Sequence, residues 1–197
     1  GITVDGAPTR EAALAGAIEL ARVTSAPVAD VVGHMLRVSD NTLAEVLGRM
    51  VAVAKGLPGS FDGATMAVTQ AVGRLVDVGS VTLRDCSGLS AFTRIPAATL
   101  VDLLSAATQV PALRTLALDL PVAGWTGTLA DRSLSAAAQG LVRAKTGSLP
   151  GVTSLAGTVQ TVDGRFLAFA VVADATPAGG QSSPRAAIDA FVGRLAG

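Results

Sequence analysis

The chain has 197 residues, of which 50% are hydrophobic and 15% charged, so it can bury a sizeable core and is not a disordered tail. Fifteen basic and fifteen acidic side chains cancel, which argues against nucleic acid or an anionic membrane as partner. One histidine and one cysteine are too few for a His-rich metal centre, a multi-cysteine zinc site or an internal disulfide, so we expect neither a metal nor a cofactor. No apolar run reaches the roughly 20 residues that cross a bilayer.

The N-terminal half carries apolar residues at helical spacing and is predicted to form five helices. They are expected over residues 11–23, from Pro27 behind a Ser25 cap, over 41–54, from an Asp62 cap to a stop at Gly79, and over 96–107. Residues 81–83 are a brief strand candidate and residues 85–88 a turn. The tripeptide Ser39-Asp40-Asn41 therefore occupies the tight link between the second and third helices.

The C-terminal half changes to β-rich runs after a turn at 111–116 and a loop over 121–133, which contains the single tryptophan, Trp125. The runs cover residues 141–147, 152–162 and 165–173, and the turns between them are short, which requires antiparallel pairing. Ser183 and Pro184 open a last helix, which is expected to cover the sheet with Ile188, Phe191, Val192 and Leu195. Helices followed by an antiparallel sheet and a terminal helix predict a single α+β domain.

Two short motifs indicate chemistry: Ser39-Asp40-Asn41, and Lys145-Thr146-Gly147 at the end of the first predicted strand. Ser-Asp-Asn followed by Lys-Thr-Gly is a pair known from penicillin-recognising serine enzymes. Each tripeptide alone is weak evidence, but their order and their settings at a rigid corner and a strand end strengthen the interpretation. Gly147 would let a substrate approach the strand closely.

Acyl transfer from a peptide with a free carboxylate needs a proton relay, a carboxylate grip and an oxyanion hole. Ser39 could relay the proton to the leaving amine, and the Asn41 amide could bind the substrate backbone. Lys145 and Thr146 supply a cation and a hydroxyl for the carboxylate. The backbone N–H of Ser148 is a candidate oxyanion donor, and its hydroxyl is a further candidate contact for the carboxylate.

Each of these residues also has a purely structural interpretation. Ser39, Asp40 and Asn41 are good helix-cap residues, and Lys145 alone could be a solvated lysine on an edge strand. Asp85 is interpreted as a turn former rather than a catalytic acid, and Trp125 as a packing residue rather than a ligand-stacking one, although either could line a cleft.

With these residues in view, the chain resembles the C-terminal part of the low-molecular-mass class C penicillin-binding proteins, the D-alanyl-D-alanine carboxypeptidase/endopeptidases. Further segments carry the resemblance: Asp85-Cys86-Ser87-Gly88-Leu89-Ser90, Leu120-Pro121-Val122-Ala123-Gly124 and Ala144-Lys145-Thr146-Gly147-Ser148-Leu149. The resemblance implies a penicillin-binding-protein or serine β-lactamase-like fold with a five-stranded antiparallel sheet. It also implies a serine-acylating site that acts on peptidoglycan stem peptides outside the cytoplasm and is inhibited by β-lactam antibiotics.

The chain also departs from the family pattern. Such enzymes carry their nucleophile in Ser-x-x-Lys ahead of Ser-x-Asn, and neither Lys55 nor Lys145 has a serine three residues before it. We therefore expect the nucleophile, its lysine and two further strands in a missing N-terminal part. Cys86 stands where the family usually has glycine, and Ala91 where many members carry arginine. Arg94 could substitute for that arginine, and the possible cleft-lining residues are Asp40, Arg94 and Trp125.

Two other functions stay open. Class A β-lactamases share both tripeptides but deacylate through a glutamate between them, and no glutamate follows Glu45. From a different class, a non-catalytic peptidoglycan-binding homologue would keep the pocket without a nucleophile. The expected partners are stem peptides, β-lactams and the N-terminal part of the same protein, and the expected location is the periplasmic or cell-wall side.

Overall fold

The computed structural model describes residues 3, 5–12, 14–132, 134–177, 179–180 and 182–197. Its helices are α1 (Val28–Val38), α2 (Asn41–Ala54), α3 (Phe61–Val72), α4 (Ala97–Gln109), α5 (Arg114–Asp119) and α6 (Ser182–Ala196). Its strands are β1 (Val142–Leu149), β2 (Val152–Gln160) and β3 (Phe166–Ala173), and short 3₁₀ turns lie at Pro111–Leu113, Gly127–Leu129 and Ala136–Ala138. None of the described helices is long and apolar enough to cross a bilayer.

The three strands form the predicted antiparallel meander in the order β1-β2-β3. The turns at both hairpins place glycines at positive φ, with Gly151 at 77° and Gly164 at 88°, which is why these two sites end the β-rich runs. The α+β class predicted from the sequence is confirmed in the described part of the chain. Helix α6 packs on β2, and α4 packs against β3 and β2, so helices lie against the sheet.

The main core lies between the sheet, α6 and the segment that precedes β1. Its buried members are Ala123, Leu129, Leu134, Ala138, Val142, Ala144, Leu155, Val159, Phe169, Ile188, Val192 and Ala196. Ile188 and Val192 cover the sheet as predicted, whereas Phe191 on the same helix is 47% exposed. A buried ion pair joins Arg132 to Asp189 of α6 at 2.6 Å, so the pre-strand segment is tied to this helix.

The helix predicted over residues 11–23 is wrong, because the described residues of this range form no helix and expose their apolar side chains. Leu14 and Ile18 are 84% and 85% exposed. An isolated helix of about a dozen residues is marginal in water unless its apolar face is buried, and the described chain offers this stretch no such surface.

Smaller corrections concern helix ends and short elements. Helix α1 starts behind Pro27 rather than from a Ser25 cap. Helix α3 is capped by Ser60, whose hydroxyl accepts from the Gly63 N–H, and not by Asp62, and it ends at Val72 because Gly73 interrupts the stripe. The strand predicted at 81–83 is a single bridge between Thr82 and Arg94. The turn predicted at 111–116 is a 3₁₀ turn followed by α5.

Helix α2 has the predicted bounds but not the predicted buried stripe. Its buried residues are Gly48 and Ala52, whereas Val46 and Met50 are 42% and 56% exposed. Gly48 lies against the Cys86 side chain and the buried Ala64 of α3, so closely that a Cβ on residue 48 would meet Cys86. Leu47 and Val51 of α2 line an apolar cleft of about 480 Å³, which α1, α3, α4 and the segment before α4 complete.

Candidate active site

The two sequence motifs meet in the structure through the side chains of Ser39 and Lys145. The Lys145 Nζ donates a hydrogen bond to Ser39 Oγ at 2.7 Å, although 106 residues separate them. The same Nζ donates to the Thr146 carbonyl at 3.0 Å. The corner between α1 and α2 and the strand β1 therefore present a hydroxyl and an amine as one unit.

The Ser39 backbone is held in an unusual conformation. Its φ of 58° and ψ of 50° lie in the left-handed region, and it is the one non-glycine residue with positive φ in the part of the chain that is described. The Asp40 N–H donates to the Met35 carbonyl at 3.1 Å, which ends α1, and α2 begins at Asn41. Strain of this kind in a non-glycine residue costs about 1–2 kcal/mol and is typical of functional sites.

Lys145 is half-buried rather than solvated, so the interpretation as a plain edge-strand lysine does not hold. Burial lowers the pKa of its ammonium below the ordinary value of 10.5, because removal from water disfavours the charged form. In its charged form Lys145 can both polarise the Ser39 hydroxyl, to which it donates, and attract an anion.

In the described part of the chain, residues 121–123 cover the outer edge of β1 over the first part of the strand. The Ala144 N–H donates to the Pro121 carbonyl and the Ala123 N–H to the Val142 carbonyl, both at 2.9 Å. Since backbone groups alternate along a strand, the N–H groups of Thr146 and Ser148 leave β1 on this same edge. The orientation agrees with the predicted role of the Ser148 N–H as an oxyanion donor.

The structure gives a reason for glycine at position 147 that the sequence did not reveal. Gly147 pairs with Ser154 across the sheet, and the Ser154 hydroxyl stands where a Cβ on residue 147 would lie. The neighbouring Thr146 points to the other face, where its hydroxyl lies 3.1 Å from the hydroxyl of Thr128. Thr128 was not singled out from the sequence, because only the tertiary fold brings its 3₁₀ turn to β1.

Asp40 and Asn41, which follow Ser39 at the helix corner, differ in what their side chains do. Asn41 opens α2 and is exposed beside Ser39, where its amide can meet a ligand. Asp40 caps α2, because its carboxylate accepts from the Leu43 N–H at 2.9 Å. The helix-cap interpretation is thus confirmed for Asp40.

We expect Asp40→Ala to lower the free energy of unfolding by about 1 kcal/mol, the usual cost of losing a helix cap. Asp40→Asn is the matched control, because an asparagine oxygen can accept the same hydrogen bond, and it should stay within a few tenths of a kcal/mol of the unchanged protein. Urea unfolding of both variants measures the difference. Equal losses in the two variants would mean that the negative charge, not the cap, matters.

Arg94 and Trp125 were predicted as possible cleft residues. The Arg94 guanidinium donates to the carbonyls of Ala91 and Thr93 at 2.7 and 2.8 Å, so its described hydrogen bonds stay within its own loop. Trp125 is 73% exposed next to the covered part of β1, which argues against the interpretation as a packing residue.

The loop 85–93 is organised by two carboxylates, of which Asp85 is buried and Glu45 half-buried. Asp85 is 7% exposed and accepts hydrogen bonds from the Ser87 hydroxyl, the Ser90 N–H and the Thr93 hydroxyl, as expected for a turn former. Glu45 of α2 accepts from the N–H groups of Cys86 and Ser87 at 3.0 and 2.9 Å, a role that the sequence did not indicate.

In the part of the chain that the structure describes, Cys86 and the acidic residues form no second reactive centre. Burial raises the pKa of the Cys86 thiol, with the nearby Glu45 and Asp85 adding to the effect, so its thiolate is scarce at neutral pH. In the described residues, no three His, Cys, Asp or Glu side chains come together as potential metal ligands.

Comparison with known proteins identifies sequence relatives of this chain. Carboxypeptidase DacB of Mycolicibacterium smegmatis is 42% identical over 204 residues, covering 99% of this chain and 43% of the relative. A D-alanyl-D-alanine carboxypeptidase of an Actinomadura species is 35% identical over 185 residues, covering 90% of this chain and 33% of the relative. The chain therefore spans less than half the length of the curated relatives that it matches.

Solved structures agree with the sequence relatives. The crystal structure of penicillin binding protein 4 (dacB) from Haemophilus influenzae, complexed with a novel β-lactam, superposes with a TM-score of 0.76 at 31% identity and covers 86% of this chain and 40% of that one. The predicted penicillin-binding-protein fold is thereby confirmed. The model of the D-Ala-D-Ala carboxypeptidase 3 (S13) family matches residues 1–196. Since this match extends over nearly all of the sequence, the chain belongs to that family, among the low-molecular-mass class C penicillin-binding proteins.

Proposed function

We propose that this chain forms part of a serine D,D-carboxypeptidase/endopeptidase that cleaves D-Ala-D-Ala-type peptidoglycan stem peptides through an acyl-enzyme and is inhibited by β-lactams. The observation that carries the proposal is the 2.7 Å hydrogen bond from Lys145 Nζ to Ser39 Oγ. It joins the relay hydroxyl to the cation that would hold the substrate carboxylate. The substrate implies that the protein works outside the cytoplasm.

The proposed nucleophile is a serine outside these 197 residues, in a preceding segment with its own Ser-x-x-Lys. This proposal is supported by the absence of Ser-x-x-Lys from the 197 residues. The two lysines, Lys55 and Lys145, have Ala52 and Val142 three residues before them, where the motif requires serine. The full-length protein is then this chain together with that segment. The edge of β3 that does not pair with β2 is the proposed place for two further strands.

Each residue of the site then has one task. The proton that the nucleophilic serine loses to the lysine of its Ser-x-x-Lys passes to Ser39 as the Ser39 hydroxyl gives its own proton to the departing D-alanine amine. The Asn41 amide binds the substrate backbone. The ammonium of Lys145 and the hydroxyl of Thr146 bind the terminal carboxylate, with the Ser148 hydroxyl as a further contact. The Ser148 N–H donates to the oxyanion as the tetrahedral intermediate forms.

The alternatives have weaker support. A class A β-lactamase needs a deacylating glutamate in the site, and Glu45, the last glutamate of the chain, instead binds the backbone of Cys86 and Ser87. A non-catalytic peptidoglycan-binding homologue is favoured by one observation only, the lack of Ser-x-x-Lys in these residues. Such a homologue would bind the carboxylate without forming a covalent adduct.

Intact-mass measurement after incubation with labelled penicillin separates these functions. We expect one adduct per molecule on the full-length protein, on a serine of the preceding segment, and none on the isolated 197 residues. No adduct on the full-length protein would favour the non-catalytic homologue. An adduct on the isolated chain would place the nucleophile within it, and rapid loss of the adduct would favour a β-lactamase.

A further inference from the structure

Thr128 stands beside the proposed carboxylate site without a role in the mechanism so far. Its hydroxyl lies 3.1 Å from the hydroxyl of Thr146, close enough for a hydrogen bond between the two side chains. It comes from the Gly127–Leu129 turn, which lies outside β1 and belongs to neither motif.

The turn that carries Thr128 is fixed on three sides. Leu129 is fully buried in the main core, and Gly127, with φ of 56°, packs so closely on the Arg37 carbonyl of α1 that a Cβ would not fit. Farther along, the Arg132 side chain is only 3% exposed and pairs with Asp189. The turn is therefore wedged between the end of α1, which leads to Ser39, and the strand that carries Thr146.

The direction of the hydrogen bond between the two hydroxyls decides what Thr146 can do. Each hydroxyl has one proton to donate and can accept others. If Thr146 donates to Thr128, its proton is not available to a ligand. If Thr128 donates to Thr146, the proton of Thr146 is left for an acceptor beside β1, and the chain of hydrogen bonds strengthens the donor.

We propose that Thr128 is a positioning residue for the substrate carboxylate: its hydroxyl donates to Thr146 Oγ1 and thereby commits the Thr146 proton to the carboxylate. This inference rests on the proposed function, in which Thr146 binds that group. A carboxylate only accepts hydrogen bonds, so its arrival selects this direction along the Thr128–Thr146 pair. The Gly127–Leu129 turn is thus a third element that lines the site, together with the corner between α1 and α2 and the strand β1.

Two variants of the full-length protein test this role. Thr128→Val keeps the shape of the side chain but removes the hydroxyl, and Thr128→Ser keeps the hydroxyl. The substrates are an acylated D-Ala-D-Ala peptide and the same peptide ending in an amide. For the free-carboxylate peptide we expect Thr128→Val to raise KM about 3- to 10-fold, the usual worth of one neutral hydrogen bond, with kcat nearly unchanged. Thr128→Ser should stay within about 2-fold of the unchanged protein.

The amide peptide distinguishes positioning from general damage to the fold. Because the amide lacks the negative charge that the Thr146 proton serves, Thr128→Val should change its KM little. Equal losses on both peptides, a Thr128→Ser variant as impaired as Thr128→Val, or no effect at all would each overturn the positioning role. If the unchanged protein itself does not prefer the carboxylate over the amide, the carboxylate assignment of the proposed function fails instead.

Discussion

Ser39→Ala in the full-length protein is expected to slow acylation by a D-Ala-D-Ala peptide by about 10²- to 10⁴-fold, the usual contribution of a positioned proton-transfer group. The variant loses the hydroxyl to which Lys145 donates but keeps the left-handed backbone at φ 58°. Ser39→Gly should be equally slow, because it lacks the same hydroxyl. The rate of hydrolysis of the peptide measures both.

The two Ser39 variants should differ in stability. Glycine adopts φ of 58° without strain, whereas alanine keeps the cost of about 1–2 kcal/mol, which the greater backbone freedom of glycine in the unfolded chain partly offsets. We expect Ser39→Gly to be more stable than Ser39→Ala by about 0.5–1 kcal/mol in urea unfolding. A more stable alanine variant would contradict the strain, and an alanine variant with full activity would remove Ser39 from the proton relay.

The setting of Ser39, a strained residue at a helix corner, could be predicted only in part from the sequence. The cap and stripe signals around Asn41 are local, so the bounds of α2 and the place of Ser39 at a helix corner followed directly from them. The left-handed backbone did not, because serine rarely adopts it and no local sequence signal marks it. The meeting of Ser39 with Lys145 came from the family resemblance, since spacing alone does not join residues so far apart.

The wrong helix over residues 11–23 and the wrong buried stripe in α2 have one physical origin. An apolar stripe shows which side chains could be buried, but burial also needs a surface against which they pack. Residues 11–23 have the stripe, but the described chain offers no surface to bury it. In α2 the buried residues are Gly48 and Ala52, whereas the larger Val46 and Met50 are exposed. Thr128 and Glu45 were missed for a related reason. Each acts across the fold on a partner distant in sequence, and neither lies in a motif.

Lys145→Ala in the full-length protein is expected to lower kcat/KM for a D-Ala-D-Ala peptide by about 10²-fold, because it removes a partly buried charge that pairs with the substrate carboxylate. Thermal stability should change little, since the desolvation that lowers the pKa of this ammonium also makes its charge costly in the folded state. The matched peptide ending in an amide should lose much less, because it has no carboxylate for the ammonium. Kinetics equal to those of the unchanged protein would refute the assignment of Lys145.

The role of Lys145 also predicts the direction in which activity changes with pH. The charged form of Lys145 is the active one, so activity should be full on the neutral side of its pKa and be lost as pH rises through a value below 10.5. In that same window the unfolded chain holds the proton that the folded protein releases, so folding stability should rise with pH while activity falls. Lys145→Arg is the control, because a guanidinium stays charged throughout and should abolish this alkaline loss, at a lower rate set by its different shape. A loss of activity that persists in the arginine variant would have to come from a group other than Lys145.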